Sequence, residues 1–137
     1  DEEKISDAIL KNFSPNIVIH NSYIPLELIN FIYQFSDFAI LPYLSDYVGG
    51  SGPLMKGAFT HSKLALVSNV SEMGRLAKEE KLAEYFIAEN PDSLLACIRR
   101  VLENGPEFYS EVINYAQNYS KKRNWSNLTN KFLKSFE

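Results

Sequence analysis

The chain has 137 residues, 45% of them apolar, and a formal net charge of −3. That length and apolar content suit one folded domain with a hydrophobic core, and the mildly acidic balance excludes sequence-independent nucleic-acid binding, which needs a basic face. A single cysteine excludes an internal disulfide, and no apolar stretch reaches the roughly 18 to 20 residues of a membrane-spanning helix.

Asp1 to Asn12 places Ile5, Ala8 and Ile9 at helical spacing, with acids in front and lysine behind, as the helix dipole favours. It starts without a cap, which is expected either of a chain cut from a larger unit or of a sequence that was simply begun at Asp1. Ser14 and Pro15 break the helix, and Asn16 to Asn21 (NIVIHN) reads as a short strand. Tyr23-Ile24-Pro25 leads into LELINFIYQFS, where Leu26, Ile29, Phe31, Ile32 and Phe35 give a broad apolar face and predict a core-facing helix.

Ser36 to Asn69 is the expected core unit. Asp37 to Tyr43 reads as a buried strand, Leu44 to Gly52 as a glycine-rich loop, Pro53 to His61 as a short helix and Leu64 to Asn69 as a second buried strand. The near-continuous apolar runs Phe38 to Leu41 and Leu64 to Val67 suit a parallel sheet covered on both faces. In the loop, Gly49, Gly50, Ser51 and Gly52 precede Pro53, which fits the first turn of a helix because its missing N–H has no partner there anyway. Unpaired amides and the dipole at such a helix start favour an anion, and glycines let a phosphate come close to the backbone. The alternative is a glycine-rich turn that holds no ligand.

Beyond this unit, SEMGRLAKEEKL predicts a helix with Ser71 as N-cap and Glu72 in its first turn, followed by a strand around Tyr85 to Ala88. Asn90 and Pro91 open the next helix as N-cap and first residue, with Leu94, Leu95, Ile98, Val101 and Leu102 as its apolar side. Cys97 on that side reads as a small core residue. Asn104-Gly105-Pro106 stops the helix, another runs from Pro106 to about Lys122, and Trp125 to Phe136 forms the last, with Leu128, Phe132, Leu133 and Phe136 on one side. Lys121, Lys122 and Arg123 read as a solvated helix end. Strands alternating with helices make an α/β domain: a Rossmann-like parallel sheet of about four strands flanked by helices. Five Asn-x-Ser/Thr triplets, at Asn12, Asn69, Asn118, Asn124 and Asn127, are read as coincidence because no secretory signal accompanies them. The expected location is the cytoplasm.

Several blocks in this order resemble one family: NIVIHNSYIP, the helix ending YQFSDFAILPY, the loop SDYVGGSGP, the run AFTHSKLALVSNVSEM, the strand YFIAENPDSL and the closing RNWSNLTNKFLKSFE. From Asn16 to Glu137 the chain resembles the later part of the nucleotide-sugar-binding domain of GT-B-fold glycosyltransferases, the retaining group called family 4. The resemblance implies an incomplete half of a GT-B C-terminal domain that binds a nucleoside-diphosphate sugar. It also implies retaining transfer to a saccharide or lipid-linked acceptor when joined to an N-terminal acceptor domain. Pro42 matches the family's strand-ending proline, and Asp46 stands where an acidic residue, usually glutamate, meets the donor sugar. Gly50, Ser51 and Gly52 match the loop that meets the diphosphate.

Two departures accompany this resemblance. The family's second glutamate, which binds the ribose, is replaced by Gly57, and neither Lys56 nor Lys63 can accept hydroxyl protons in its place. The acceptor domain and the Arg/Lys pair that stabilises the leaving diphosphate are absent from the sequence, so the chain alone is expected to be inactive. The lost strands would lie between NIVIHN and DFAILPY, so those two either pair directly or leave a gap filled by other protein. The family implies no metal and no cofactor beyond the nucleotide-sugar substrate, and leaves peripheral membrane contact open.

Other chemistries match poorly. His20 and His61 lack acidic partners at metal-ligand spacing, GGSGP lacks the Gly-x-Ser-x-Gly elbow of a hydrolase, and no Gly-x-Gly-x-x-Gly follows the first strand. His61 is expected to end its helix or to face solvent. Ser22 and Tyr23 are candidates to pack against a nucleotide base or form a plain loop, while Tyr43 and Tyr47 either stack on a sugar or cover the sheet end. The aromatic stripe Phe31, Tyr33, Phe35 and Phe38 reads as core. A non-catalytic α/β module that binds a nucleotide or a protein is the alternative function.

Overall fold

A computed structural model describes residues 16–135 apart from 21 and 124, so the helix expected over Asp1 to Asn12 lies outside the described residues. The elements are α1 (Leu26–Phe35), β1 (Phe38–Leu41), a π-helix (Pro53–Phe59), β2 (Leu64–Ser68), α2 (Ser71–Lys78), β3 (Glu84–Phe86), α3 (Pro91–Phe108), α4 (Ser110–Lys122) and α5 (Trp125–Lys134). The described sheet has three strands in the order β1-β2-β3. Both pairings are parallel, with Phe38 opposite Leu64 and Leu66 opposite Glu84.

Every residue of β2 is buried, which explains its unbroken apolar run: its two faces feed two different cores. Ala65 and Val67 join Leu54, Phe59, Met73 and Leu76 on the side of the π-helix and α2. Leu64 and Leu66 join Phe86, Cys97, Val101 and Tyr109 on the side of α3. Burying each large apolar side chain contributes about 1.5–3 kcal/mol, so this central strand anchors both layers. Cys97 is buried as expected, and burial pushes its thiol pKa up, with the nearby Arg100 pulling the other way.

Three expectations are corrected here. The fourth strand is not formed among the described residues: residues 17–20 have no regular structure, Val18 is 92% exposed, and β1 pairs only with β2. An apolar alternation makes a strand only where a partner supplies the ladder. Helix α1 forms as predicted but has no buried residue, and Phe31, Ile32 and Phe35 of the expected core stripe are exposed. Its apolar arc is wider than the contact available, which Tyr33 makes with the π-helix. The predicted short helix after the glycine loop is a π-helix, and just past its end the Lys63 amide donates back to the Ala58 carbonyl at 2.8 Å. The Met55 carbonyl in this wide turn accepts from the hydroxyls of Thr60 (2.9 Å) and Ser120 (3.1 Å).

Candidate functional site

Because the strands are parallel, the loops that follow them gather at one edge of the sheet, and three sets of hydrogen bonds join them. The Gly49 amide donates to Ser71 Oγ (2.9 Å), whose hydroxyl donates back to the Gly49 carbonyl (3.0 Å), linking the loops after β1 and β2. Asn69 Oδ1 accepts from the Ala88 amide (3.0 Å), linking those after β2 and β3. Glu89 Oε2 accepts from the Ser45 amide (3.1 Å), which spans from β3 back to β1. Ser45 holds the Glu89 carboxyl below the usual carboxylate range, through its hydroxyl first and its amide second.

Three of the residues that make these ties have unusual backbones. Ser71 (φ 47°) and Glu89 (φ 57°) are left-handed, and Gly49 has φ 131°. A non-glycine residue there costs about 1–3 kcal/mol and persists only where its surroundings enforce it. Ser71 is therefore not the N-cap predicted from sequence: Val70 holds that position with no side-chain bond, and the serine hydroxyl is spent on Gly49.

Within the loop, the Tyr47 amide donates to the Leu44 carbonyl (3.1 Å), closing a turn with Ser45 and Asp46 at its tip. Asp46 is exposed, and no hydrogen bond or ion pair engages it among the described residues. The rings of Tyr43 and Tyr47 lie 4.3 Å apart, and the Tyr47 hydroxyl donates to the Gly50 carbonyl at 2.7 Å. Ser51 is 5% exposed. Its Oγ accepts from the Leu54 amide (3.1 Å) and shares a hydrogen bond with the Tyr43 hydroxyl (3.1 Å). The Ser51 hydroxyl is thus engaged within the protein, at the first turn of the π-helix. It also satisfies one of the amides expected to be free.

Gly50 and Gly52 behave differently from their neighbour. Both are exposed, neither has a positive φ, and a Cβ on either would meet nothing within 4 Å. The amides of Gly50 and Ser51 have no hydrogen-bond partner among the described residues. Neither backbone strain nor packing therefore requires glycine at positions 50 and 52; what the missing side chains leave is open access to the backbone.

Three cavities border the loop. The largest, about 470 Å³, lies between α1 and the start of the π-helix, with Ile24, Ile29, Tyr33, Gly52, Pro53 and Lys56 in its wall. Tyr23, 88% exposed, and Ser22 are not in that wall, although Ile24, next in sequence, is; the Ser22 hydroxyl pairs with His20 Nε2 at 3.0 Å. A second, about 270 Å³, opens above the ends of β1 and β3 between Pro42, Tyr43, Leu44, Glu89 and Asn90. A third, about 130 Å³, is bounded by Gly50, Ser51, Glu72, Tyr119 and Arg123. The buried Tyr119 hydroxyl has no partner among the described residues, and a cavity of that size has room for water to satisfy it.

Sequence reasoning singled out Asp46 and the glycines but did not foresee the loop ties made by Glu89, Ser71 and Asn69. The available signal was their position, just after predicted parallel strands, where loops of such sheets gather. Gly57 is buried, and a Cβ there would lie 2.3 Å from the Tyr33 ring. His61 stacks on the same ring at 5.5 Å, which accounts for it more specifically than a helix end or solvent. Among the described residues no three His, Cys, Asp or Glu side chains converge as a metal site would require.

These features define a class: an α/β domain whose parallel sheet carries a hydrogen-bonded cluster of loops at its carboxyl edge, with an open glycine segment beside an apolar cavity. Compared with known proteins, no protein-family model matches the chain and no curated protein matches its sequence.

Proposed function

We propose that this domain binds a nucleoside-diphosphate sugar and forms the donor half of a retaining glycosyltransferase, acting on a saccharide or lipid-linked acceptor together with an N-terminal acceptor domain. One observation carries the reading: Gly50 and Gly52 leave their backbone uncovered although nothing in conformation or packing calls for glycine. The unpaired amides of Gly50 and Ser51 suit a diphosphate, the exposed carboxylate of Asp46 suits sugar hydroxyls, and the apolar space beside Ile24 suits a base. In transfer, negative charge grows on the departing diphosphate; loop amides stabilise part of it, and cations of the acceptor domain supply the rest.

Saturation-transfer NMR with UDP-glucose, GDP-mannose, UDP and GDP tests this. Gly52→Trp, whose Cβ would meet nothing within 4 Å, is expected to abolish binding; unchanged binding removes the loop from the reading. Asp46→Ala is expected to weaken the nucleotide sugars about tenfold and the free nucleotides little, since a hydrogen bond to a charged group contributes about 1.5–3 kcal/mol. Equal losses for both contradict the sugar contact.

A second reading, a non-catalytic nucleotide- or protein-binding module, is favoured by Gly57. With Tyr33 packed against it, no carboxylate can stand there to take ribose hydroxyls. Saturation by free nucleotides with none by either nucleotide sugar supports that alternative.

A further inference from the structure

The smallest cavity beside the glycine loop, about 130 Å³, brings together donors of three kinds that nothing else uses. Gly50 and Ser51 are in its wall, and their amides have no hydrogen-bond partner among the described residues. These amides belong to the loop. Those of the π-helix's own first turn are engaged, Leu54 with Ser51 Oγ (3.1 Å) and Met55 with the Ser51 carbonyl (3.1 Å). Tyr119 contributes a buried hydroxyl with no partner among the described residues. Arg123, expected from sequence to be part of a solvated helix end, is in the same wall. Its guanidinium lies 4.4 Å over the Tyr119 ring and makes no hydrogen bond or ion pair among the described residues. One carboxylate lines the space, that of Glu72, and its charge is already matched: Arg75 grips both of its oxygens at 2.8 Å.

From this juxtaposition we infer that the cavity takes a phosphoryl group and that Arg123 is the cation that holds it. A guanidinium offers paired N–H groups to two phosphate oxygens, while a phenol hydroxyl and backbone amides each add one bond more. A buried hydroxyl left without an acceptor is costly, and an oxygen-rich anion beside Tyr119 removes that cost. Size sets the ligand group: against about 30 Å³ for a water in the liquid, the cavity has room for a phosphoryl group and none for a nucleoside. The glycine segment also borders the 470 Å³ cavity, through Gly52. A nucleoside diphosphate laid across the glycines therefore has its base in the larger space and its distal phosphate against Arg123, with bare backbone between them. The inference rests on the donor-binding reading for this ligand, and adds to it a direction and a cation from the domain's own chain. In transfer that cation meets the charge growing on the departing diphosphate, alongside those of the acceptor domain.

NMR titration of the whole chain with UDP, GDP, uridine, guanosine and inorganic pyrophosphate tests this. Each diphosphate is expected to bind more tightly than its nucleoside. Arg123→Gln is expected to lower the diphosphate affinity about tenfold and to leave that of the nucleoside unchanged. Arg123→Lys, which keeps the charge without the paired geometry, is expected to restore part of the loss. Because Arg123 is exposed, both variants are expected to melt as the wild type does. Tyr119→Phe is expected to weaken the diphosphates severalfold without lowering the thermal midpoint, an effect that a hydroxyl satisfied only by water does not produce. Diphosphates that bind equally well to the wild type, Arg123→Gln and Tyr119→Phe overturn the inference and leave the donor-binding reading standing. Pyrophosphate binding that depends on Arg123, with no nucleotide bound, upholds the phosphoryl site and removes the donor reading. A chain that binds none of these ligands removes both.

Discussion

At Gly57 the absence of one carbon decides the packing. A Cβ would stand 2.3 Å from the Tyr33 ring, whose hydroxyl donates to the Pro53 carbonyl at 3.1 Å and whose face stacks on His61. Gly57→Ala is expected to destabilise the domain by about 1–3 kcal/mol, read from the urea unfolding midpoint, because the ring must leave its place. Removing the ring as well, in Tyr33→Ala/Gly57→Ala, should cost less than the sum of the two single losses; strict additivity would show that the contact is not what binds them. Glu89 makes a second prediction at this scale. Its folded pKa is depressed by Ser45, so its contribution is fully present above the unfolded value of about 4.3 and is lost as pH falls through the lower folded value. An acid titration followed by NMR should show the Ser45 amide moving in that range, and Glu89→Gln should remove the movement.

Among the elements, α3 shows how far local chemistry reaches. Its predicted start is found in full: Pro91 opens the helix, and Asn90 Oδ1 accepts from the Ser93 amide at 2.9 Å. Its predicted stop is found as a break at Gly105, with φ 74° and ψ 173°, a conformation open essentially to glycine alone. Gly105→Ala is expected to cost about 1–3 kcal/mol and to lower the thermal midpoint by several degrees; an unchanged melt would mean that the break relaxes without strain. Helix α1 shows the opposite. Its sequence announced a helix correctly, since apolar spacing follows from backbone geometry, but could not say what its apolar side would meet. Phe35, read as core, is 69% exposed.

Over the whole molecule, the same division separates what was legible from what was not. The three strands of the sheet, the glycine loop and the Asn90 cap could be read because each is set by residues adjacent in sequence. The bonds that shape the carboxyl edge could not, since Ser45 and Glu89 lie 44 residues apart and Gly49 and Ser71 lie 22 apart. The bond of the Ser51 hydroxyl to Tyr43 was illegible for the same reason, since nothing adjacent in sequence announces it. The fourth strand failed because a strand is a property of two segments, and β1 has a neighbour on one side only among the described residues.

The knotting of those loops has a consequence for how such an edge can change. Lengthening any one of them would pull on the other two, so insertions there should be poorly tolerated, and new preferences have to arise from side chains that stand clear of the knots. Asp46 and Tyr23 are such positions, free to be exchanged while the frame beneath them stays as it is.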